Sequence, residues 1–280
     1  MSRFVVFIKN WLLPVAMVSG TVLYLIFSKI SFFAPMRKSI LEITDWLLPA
    51  TIFFMLFFTF CKIDFREMKP RKWHVILLFS QVVLCVACML VIVKFFNGDE
   101  FNKSLAEGVL ACLLSPTAAA AAVITGKLGG SVASLTSYTL ESNVLSALLI
   151  TTLCPLINPI PGLNIFIAFA TILYKISFLL LLPFALAFIV KHTMPRLHAR
   201  IVAIKDISYY LWGVSLTLVT GLTMRVVFLN ISDGSLEMAL VTGAAIVCIF
   251  KFAYGKFIGH LYSREDMISA GQALGQKNTS

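Results

Sequence analysis

Apolar runs, each about as long as a membrane-crossing helix, follow one another along almost the whole chain. About 20 predominantly apolar residues are needed for one helical crossing of a bilayer. The pattern predicts an all-α protein that crosses a membrane many times. The eight predicted spans are Trp11–Phe27, Trp46–Cys61, Trp73–Phe96, Leu105–Thr125, Val132–Leu156, Ile165–Val190, Ser208–Leu229 and Leu236–Gly259, and a ninth begins near Met267.

The charged residues are few, and their distribution predicts an orientation. Only 13% of the residues are charged, against roughly 25% in soluble proteins. The net charge of +10 lies mostly in alternate connections, such as Lys62–Lys72 and Lys191–Asp206, rather than in one basic patch. This positive-inside pattern predicts a cytoplasmic N-terminus. We expect a multi-pass protein of a bacterial inner membrane, surrounded by lipid and without a nucleic-acid partner.

The fourth span contains a helix-breaking segment. Ser115, Pro116 and Thr117 are followed by five consecutive alanines. Proline lacks the N–H that a helix requires and frees the carbonyl one turn earlier. Secondary transporters build substrate and ion sites from helices broken in this way at mid-membrane depth. We therefore predict a helix break at Pro116 with Ser115 and Thr117 as substrate contacts, and a purely structural kink is the alternative.

Glu141 is the acidic residue placed deepest within a predicted span. A carboxylate at that depth is costly in lipid and therefore points to function. Thr139 and Asn143 lie close to it in the sequence, and oxygen ligands suit a hard cation. The segment predicts a cation site that includes these three residues. Proton carriage by Glu141 and a purely structural hydrogen bond are the alternatives.

The polar end of the chain mirrors the break in the fourth span. Asn158–Gly162 forms a predicted hairpin that separates five spans from at least four, so residues 1–158 and 159–280 are expected to be inverted repeats. The ninth span then corresponds to the fourth, and we expect the two broken helices to cross. Gln272 and Gln276 share a helix face. The chain lacks the tenth span that a complete second repeat needs.

Other chemistry is not indicated by the sequence. Six cysteines lie in apolar segments without a second ligand pair, and no hydrolase, metalloprotease or nucleotide-binding motif is present. We expect neither an enzyme nor a cofactor, with Na⁺ as the one ion to consider. The four histidines lie near span ends and are interpreted as interfacial residues.

Several motifs resemble those of the bile acid:sodium symporter family. Phe53–Asp64, with the basic segment after it, resembles the family's second span and its exit. Ser115-Pro116-Thr117 stands where the family has Cys-Pro-Gly-Gly-Thr in its broken fourth helix. Gly275–Asn278 resembles the family's Gly-x-Gln-Asn in the ninth helix. The resemblance extends over the whole chain through motifs that are individually loose.

The resemblance implies ten helices in two inverted repeats, with spans 1, 2, 6 and 7 forming a panel and the others a core. Helices 4 and 9 would cross in the core, sodium would bind behind the crossing, and organic anions would bind between panel and core. A relative shift of the two domains would give alternating access. Asn278 would contact the substrate. The resemblance and the polar segments together assign the cation site to Gln81, Thr139, Glu141, Asn143, Gln272 and Gln276.

The chain also departs from the family pattern. By ungapped counting, the family's Ser-Asn sodium ligands fall on Ala121 and Ala122, and Leu135 replaces a fifth-helix hydroxyl. The ninth-helix glutamate falls on Ala273, or on Gln272 if Lys277 is an insertion. Sodium and protons therefore both stay open as coupling ions.

We predict a secondary active transporter for a small organic anion, coupled to sodium or protons. One alternative is a permease resembling auxin efflux carriers. Another is a membrane receptor or assembly subunit that keeps a transporter fold without transporting. Neither the substrate nor the oligomeric state follows from the sequence.

Overall fold

The computed structural model describes residues 11–96, 98–118, 120–159, 162, 164–204, 206–229 and 234–277. Apart from two short 3₁₀ turns at Ser31–Met36 and Phe65–Glu67, the secondary structure in these ranges is α-helical. The helices are α1 Leu12–Lys29, α2 Arg37–Phe60, α3 Lys72–Phe95, α4 Glu100–Leu114, α5 Ala121–Leu128, α6 Val132–Ile157, α7 Ile165–Thr193, α8 Pro195–Ala203, α9 Ile207–Leu229, α10 Gly234–His260 and α11 Arg264–Gly275.

The helix lengths confirm an all-α protein with multiple membrane spans. Within the described residues, six helices are long and apolar enough to cross a membrane, and a seventh span results if Leu180–Thr193 and Pro195–Ala203 are counted together. Those two segments are bent by 119° at Met194. The predicted fourth span is not a single helix, because it is divided into α4 and α5. Helix α8, inside a segment predicted to be a loop, was not anticipated from the sequence.

Large apolar side chains point outward along the long helices. Trp46 is 83% exposed, Phe79 68% and Ile249 70%. Apolar surface on this scale is unusual for a soluble monomer and is typical of a surface that contacts another apolar phase. Here the helix lengths identify that phase as lipid.

The chain divides into two compact units, and unit 1 comprises Met1–Lys62 and Pro183–Asp233. Its described helices are α1, α2, the second part of α7, α8 and α9. Helices α1 and α9 approach closely at Gly20, where a side chain would collide with the carbonyl of Thr217. The Ser215 hydroxyl of α9 donates to the Thr51 hydroxyl of α2 at 3.0 Å. Small residues and short polar bridges thus hold this unit together, as is common between membrane helices.

Unit 2 comprises Ile63–Leu182 and Gly234–Ser280, and it contains both predicted helix breaks. Its helices are α3 to α6, the first part of α7, α10 and α11. Trp73, Leu77, Leu135 and Tyr138 form one buried cluster together with alanines of α5 and α11. A second cluster joins α3, α4 and α6. The predicted break segments therefore lie beside a closely packed core.

Two glycines allow α10 and α11 to form a tight helical hairpin. A side chain at Gly255 would collide with the backbone of Ala270, and one at Gly259 with the backbone of Asp266. The two glycines are four residues apart and therefore share a helix face, the arrangement that lets membrane helices approach at backbone distance. The position of α11 depends on this contact.

The start of α4 is capped outside its apolar segment. The Asp99 carboxylate accepts a hydrogen bond from the Asn102 backbone N–H at 3.1 Å. That bond lowers the pKa of the Asp99 carboxyl below its usual value, because it stabilises the charged form. Asp99 therefore fixes the point at which α4 begins.

Replacing Gly255 with alanine is expected to lower the thermal stability of the protein, because its Cβ would lie under 3.0 Å from the Ala270 carbonyl group. Overpacking of this kind costs about 1–3 kcal/mol. The matched control is alanine at Gly243 of the same helix, whose Cβ would make ordinary contacts at 3.5 Å from Val109 and 3.7 Å from Leu105. Thermal unfolding of the purified protein measures both variants. Equal melting temperatures would contradict the close contact of α10 with α11.

Candidate functional site

The fourth span is broken at the predicted proline. Helix α4 ends at Leu114, Ser115 has an extended backbone (ψ 133°), and α5 begins only at Ala121. Pro116 has no N–H to offer the Cys112 carbonyl, which therefore loses its partner within the helix. The Ser115 hydroxyl donates to the Ala111 carbonyl at 2.7 Å. The break leaves carbonyl groups of the last turn of α4 available to other parts of the molecule.

The end of α11 lies against this break. Helix α11 ends at Gly275, and Lys277 forms an antiparallel backbone bridge with Thr117. The Ala118 N–H donates to the Gln276 carbonyl at 3.0 Å, and the Thr117 hydroxyl donates to the Ala273 carbonyl at 2.8 Å. The break of the fourth span therefore meets the end of α11, a contact termed the crossing. Asn278, the predicted substrate contact, lies outside the described residues.

Ser115 and Thr117 both use their hydroxyls in this structure, Ser115 on its own helix and Thr117 across to α11. Their side chains are 6% and 2% exposed, and each hydroxyl donates its hydrogen to a backbone carbonyl. Neither hydroxyl has a hydrogen left to donate to a substrate in this arrangement, although each oxygen can still accept. Their role as substrate contacts stays a prediction.

Two lysines lie at the crossing of the broken helices. Lys251 of α10 is 2% exposed, and its Nζ donates to the Cys112 and Leu113 carbonyls at 3.2 Å each. The Nζ of Lys277 lies near the Lys251 nitrogen and is buried without a hydrogen-bond partner among the described residues. The sequence analysis overlooked Lys251. A lysine in the middle of a 27-residue apolar helix was the signal that indicates it.

His74 and Glu141 form a pair elsewhere in the same unit. The His74 Nδ1 lies 3.1 Å from one carboxylate oxygen of Glu141, and its Nε2 lies 3.1 Å from the Ser134 hydroxyl. His74 is fully buried. The interpretation of this histidine as an interfacial residue was therefore wrong. It failed because the sequence position near a span end does not show which neighbouring helix covers the ring.

Glu141 lies on a different face of α6 from Thr139 and Asn143 in this structure. Successive helix residues are about 100° apart, so a residue two positions away lies on nearly the opposite face. The Thr139 hydroxyl donates to the Leu135 carbonyl, and the Asn143 amide donates to the Thr139 carbonyl, both at 2.8 Å. Ser134, seven positions before Glu141, is on its face, and both contact His74.

The three predicted glutamines are buried or partly buried in unit 2. The Gln81 amide donates to the Ser146 hydroxyl at 3.2 Å, and its carbonyl oxygen has no hydrogen-bond partner among the described residues. Gln276 donates to the Gln272 side-chain oxygen at 2.5 Å. The six predicted cation ligands lie on α3, on α6 and at the end of α11. Their cation-binding role stays a prediction.

A buried carboxylate that the sequence analysis missed fixes the start of α11. Asp266 accepts from the Arg71 guanidinium at 2.5 Å, from the Trp73 indole N–H at 2.9 Å and from the Ser263 hydroxyl at 2.9 Å. Its backbone N–H in turn donates to the Ser263 oxygen. Acidic residues are common in the first turn of a helix because they stabilise it, so the sequence alone gives Asp266 an ordinary role. Only the structure shows that this carboxylate is buried.

Two cavities differ in what they can hold. One in unit 2, of about 10 Å³, is lined by Gln81, Lys251 and Tyr254 among others and has room for about one water molecule. One in unit 1, of about 400 Å³, lies among α1, α2 and α9. The cavity at Gln81 and Lys251 is therefore too small for an organic substrate, and an open groove of about 260 Å³ adjoins it at Ser80, Phe250 and Tyr254.

The family comparison agrees with this architecture. The family model for the sodium bile acid symporter family matches residues 49–233, well over half of the chain. The chain belongs to the sodium bile acid symporter family. The family consists of membrane transporters and not of enzymes, so this symporter-family protein is a multi-pass membrane transporter.

A comparison with curated proteins gives no significant match. The matched residues end before α10 and α11, so Lys251, Lys277 and the second broken helix lie outside them.

Replacing Asp266 with asparagine is expected to destabilise the protein, because the Arg71 guanidinium and the Trp73 N–H would lose a charged acceptor. Loss of such a bond in a buried position costs about 1–3 kcal/mol. The neighbouring variant Glu265→Gln is the control, since Glu265 is half-exposed and lies 3.6 Å from Arg71, a geometry worth about 0–1 kcal/mol. Thermal unfolding of both variants tests this. A larger loss for Glu265→Gln would be inconsistent with the network described.

Proposed function

We propose that the protein is a secondary active transporter that moves a small organic anion across a bacterial inner membrane by alternating access. Its coupling ion is sodium or the proton. The observation that carries the proposal is the contact between the break of the fourth span and the end of α11, in a protein of a transporter family. In membranes, non-helical backbone of this kind is retained where it lines a site or is enclosed by protein.

The division into two units supports a panel and a core in this proposal. Unit 1 contains spans 1, 2 and 7 and the end of span 6, and unit 2 contains spans 3, 4, 5, 8 and 9 and the start of span 6. The boundary within the sixth span falls at Pro183. We further propose the inverted repeats 1–158 and 159–280, with the N-terminus in the cytoplasm.

Positive charge at the crossing supports an anion as the substrate. Lys251 and Lys277 contribute it, and none of the ion pairs found among the described residues contains either lysine. A buried positive charge that no carboxylate pairs attracts an anion in a medium of low dielectric constant. The proposed substrate contacts are Ser115, Thr117 and Asn278.

The contact between Glu141 and His74 supports an ion-coupling role for this region. A carboxylate that faces an imidazole within a span can carry a proton, and its oxygens can also contribute to a cation site. Proposed cation ligands besides Glu141 are Gln81, Thr139, Asn143, Gln272 and Gln276.

Uptake by proteoliposomes tests the proposed transport. The purified protein is reconstituted and offered radiolabelled taurocholate or small carboxylates, with a sodium gradient, a pH gradient or neither. Uptake above that of empty liposomes, accelerated by one of the gradients, is the expected result. Absence of uptake for every compound, without stabilisation of the protein by any of them, would contradict the proposal.

The variant Glu141→Gln is expected to lower gradient-driven uptake by about tenfold or more, because an amide carries neither charge nor a transferable proton. Glu107→Gln is the matched control, since Glu107 contacts Lys103 and Asn158 at the other end of unit 2's helices α4 and α6. Uptake with and without each gradient is measured for both. Unchanged gradient dependence in Glu141→Gln would remove this residue from the coupling mechanism.

A further inference from the structure

Two helix C-termini converge at the crossing. Helix α4 ends at Leu114 and α11 ends at Gly275, and the residues that follow them pair through the Thr117–Lys277 bridge. The last carbonyls of a helix have no partner within it, and together they carry a partial negative charge of about half an electron. Two such ends in one place form a site that favours a cation.

The carbonyls of Cys112 and Leu113 are the part of that site that most clearly lacks hydrogen-bond donors within the helix. Pro116 has no N–H for the Cys112 oxygen, and the helix ends before a residue can donate to the Leu113 oxygen. Both carbonyls accept from the Lys251 Nζ at 3.2 Å. Unwound carbonyls of broken helices coordinate sodium or other monovalent cations in many transporters. In this protein a tethered ammonium group lies at that position.

The second lysine strengthens the positive character of the position. The Lys277 Nζ lies near the Lys251 Nζ and is buried without a hydrogen-bond partner among the described residues. Two like charges at that distance and away from water repel one another. A pair that carries a single positive charge avoids that repulsion and is still a cation.

The nearby groups do not neutralise this charge by an ion pair. The thiols of Cys85, Cys112 and Cys248 lie close to Lys251, and the Cys248 Sγ is engaged with the Gly275 carbonyl at 3.1 Å. None of the salt bridges found in the described ranges includes Lys251 or Lys277. The partial negative charge of the two helix ends therefore balances the positive charge of the lysine pair.

We propose that the Lys251–Lys277 pair is the resident cation of the helix crossing and takes the place of an alkali metal ion there. The inference rests on the proposed transport function and makes it more specific, because a carrier with its own cation at this position does not need sodium to form the crossing. Stability and transport of the protein are then independent of sodium.

The first measurement uses the unmodified protein. Its melting temperature in detergent is compared in NaCl, KCl and choline chloride at equal ionic strength. We expect the three values to agree within about 1 °C, whereas an ion bound at a concentration well above its dissociation constant would raise the value by several degrees. A selective rise in NaCl would overturn the proposal.

The second measurement removes the tethered charge. Lys251→Met keeps most of the side-chain volume and leaves the Cys112 and Leu113 carbonyls without a cation. We expect a lower melting temperature in choline chloride, and a recovery of about 3 °C or more in NaCl or KCl. A purely structural role for Lys251 predicts the same loss in all three salts, so equal loss would overturn the proposal.

Lys256→Met is the matched control on the same helix. Lys256 is exposed and lies over the Phe252 ring at 5.4 Å, away from the carbonyls of the crossing. We expect no change in the salt response of this variant. If Lys251→Met does not yield folded protein, Lys277→Met is used, which leaves Lys251 in place and is expected to show the smaller salt response. A Lys277→Met response to salt larger than about 3 °C would contradict Lys251 as the main cation.

Proteoliposome uptake separates this inference from the proposed function. Uptake of a small carboxylate or taurocholate that is equal in sodium and choline supports both. Uptake that requires sodium would leave the transport function intact and refute the resident cation. Sodium-independent stability with a salt-responsive Lys251→Met, but without uptake of any anion, would support the resident cation and refute the transport function.

Discussion

Backbone groups that leave a helix inside a bilayer need partners, because each unsatisfied group costs several kcal/mol in hydrocarbon. The crossing meets this requirement in three ways. The Thr117–Lys277 bridge and the Ala118–Gln276 hydrogen bond pair backbone with backbone. The Thr117 hydroxyl covers the Ala273 carbonyl. The Lys251 ammonium covers the Cys112 carbonyl, which Pro116 leaves free, and the Leu113 carbonyl, which the end of α4 leaves free. Each of these contacts requires that the broken helices approach closely, which the small residues around them permit.

The position of α11 follows from contacts at both of its ends. Its 12 residues extend about 18 Å at 1.5 Å per residue, roughly half of a hydrocarbon core about 30 Å thick. Asp266 ties its first turn to Arg71 and Trp73 at the start of α3, and Gly255 and Gly259 hold it against α10. A helix of this length that is anchored at one membrane face must end near mid-depth. The anchor and the crossing are therefore parts of one arrangement.

The sequence was sufficient to predict the helical class, the approximate spans, the break at Pro116 and its meeting with the polar end of the chain. Periodicity and proline chemistry are local, so a single chain carries them. The partners of Glu141 were not predictable in the same way. Its helix face follows from residue spacing, which already separates it from Thr139 and Asn143, but the helix that supplies His74 does not. Lys251 was missed because the apolar run was weighed as a whole, whereas Lys251 is the charged residue placed farthest from the ends of that run.

A tethered cation has an energetic consequence for a carrier. An ion that binds and leaves on opposite sides of a membrane transfers the free energy of its gradient to the substrate, whereas a lysine ammonium stays with the protein and transfers none. With Lys251 at the crossing, no sodium ion binds and leaves at that position, so a sodium gradient cannot drive transport through it. Concentrative transport would then need a proton-carrying group elsewhere in the unit, and the His74–Glu141 pair supplies an imidazole and a carboxylate in contact. Without such a group, transport by the same structure would follow the gradient of the anion alone.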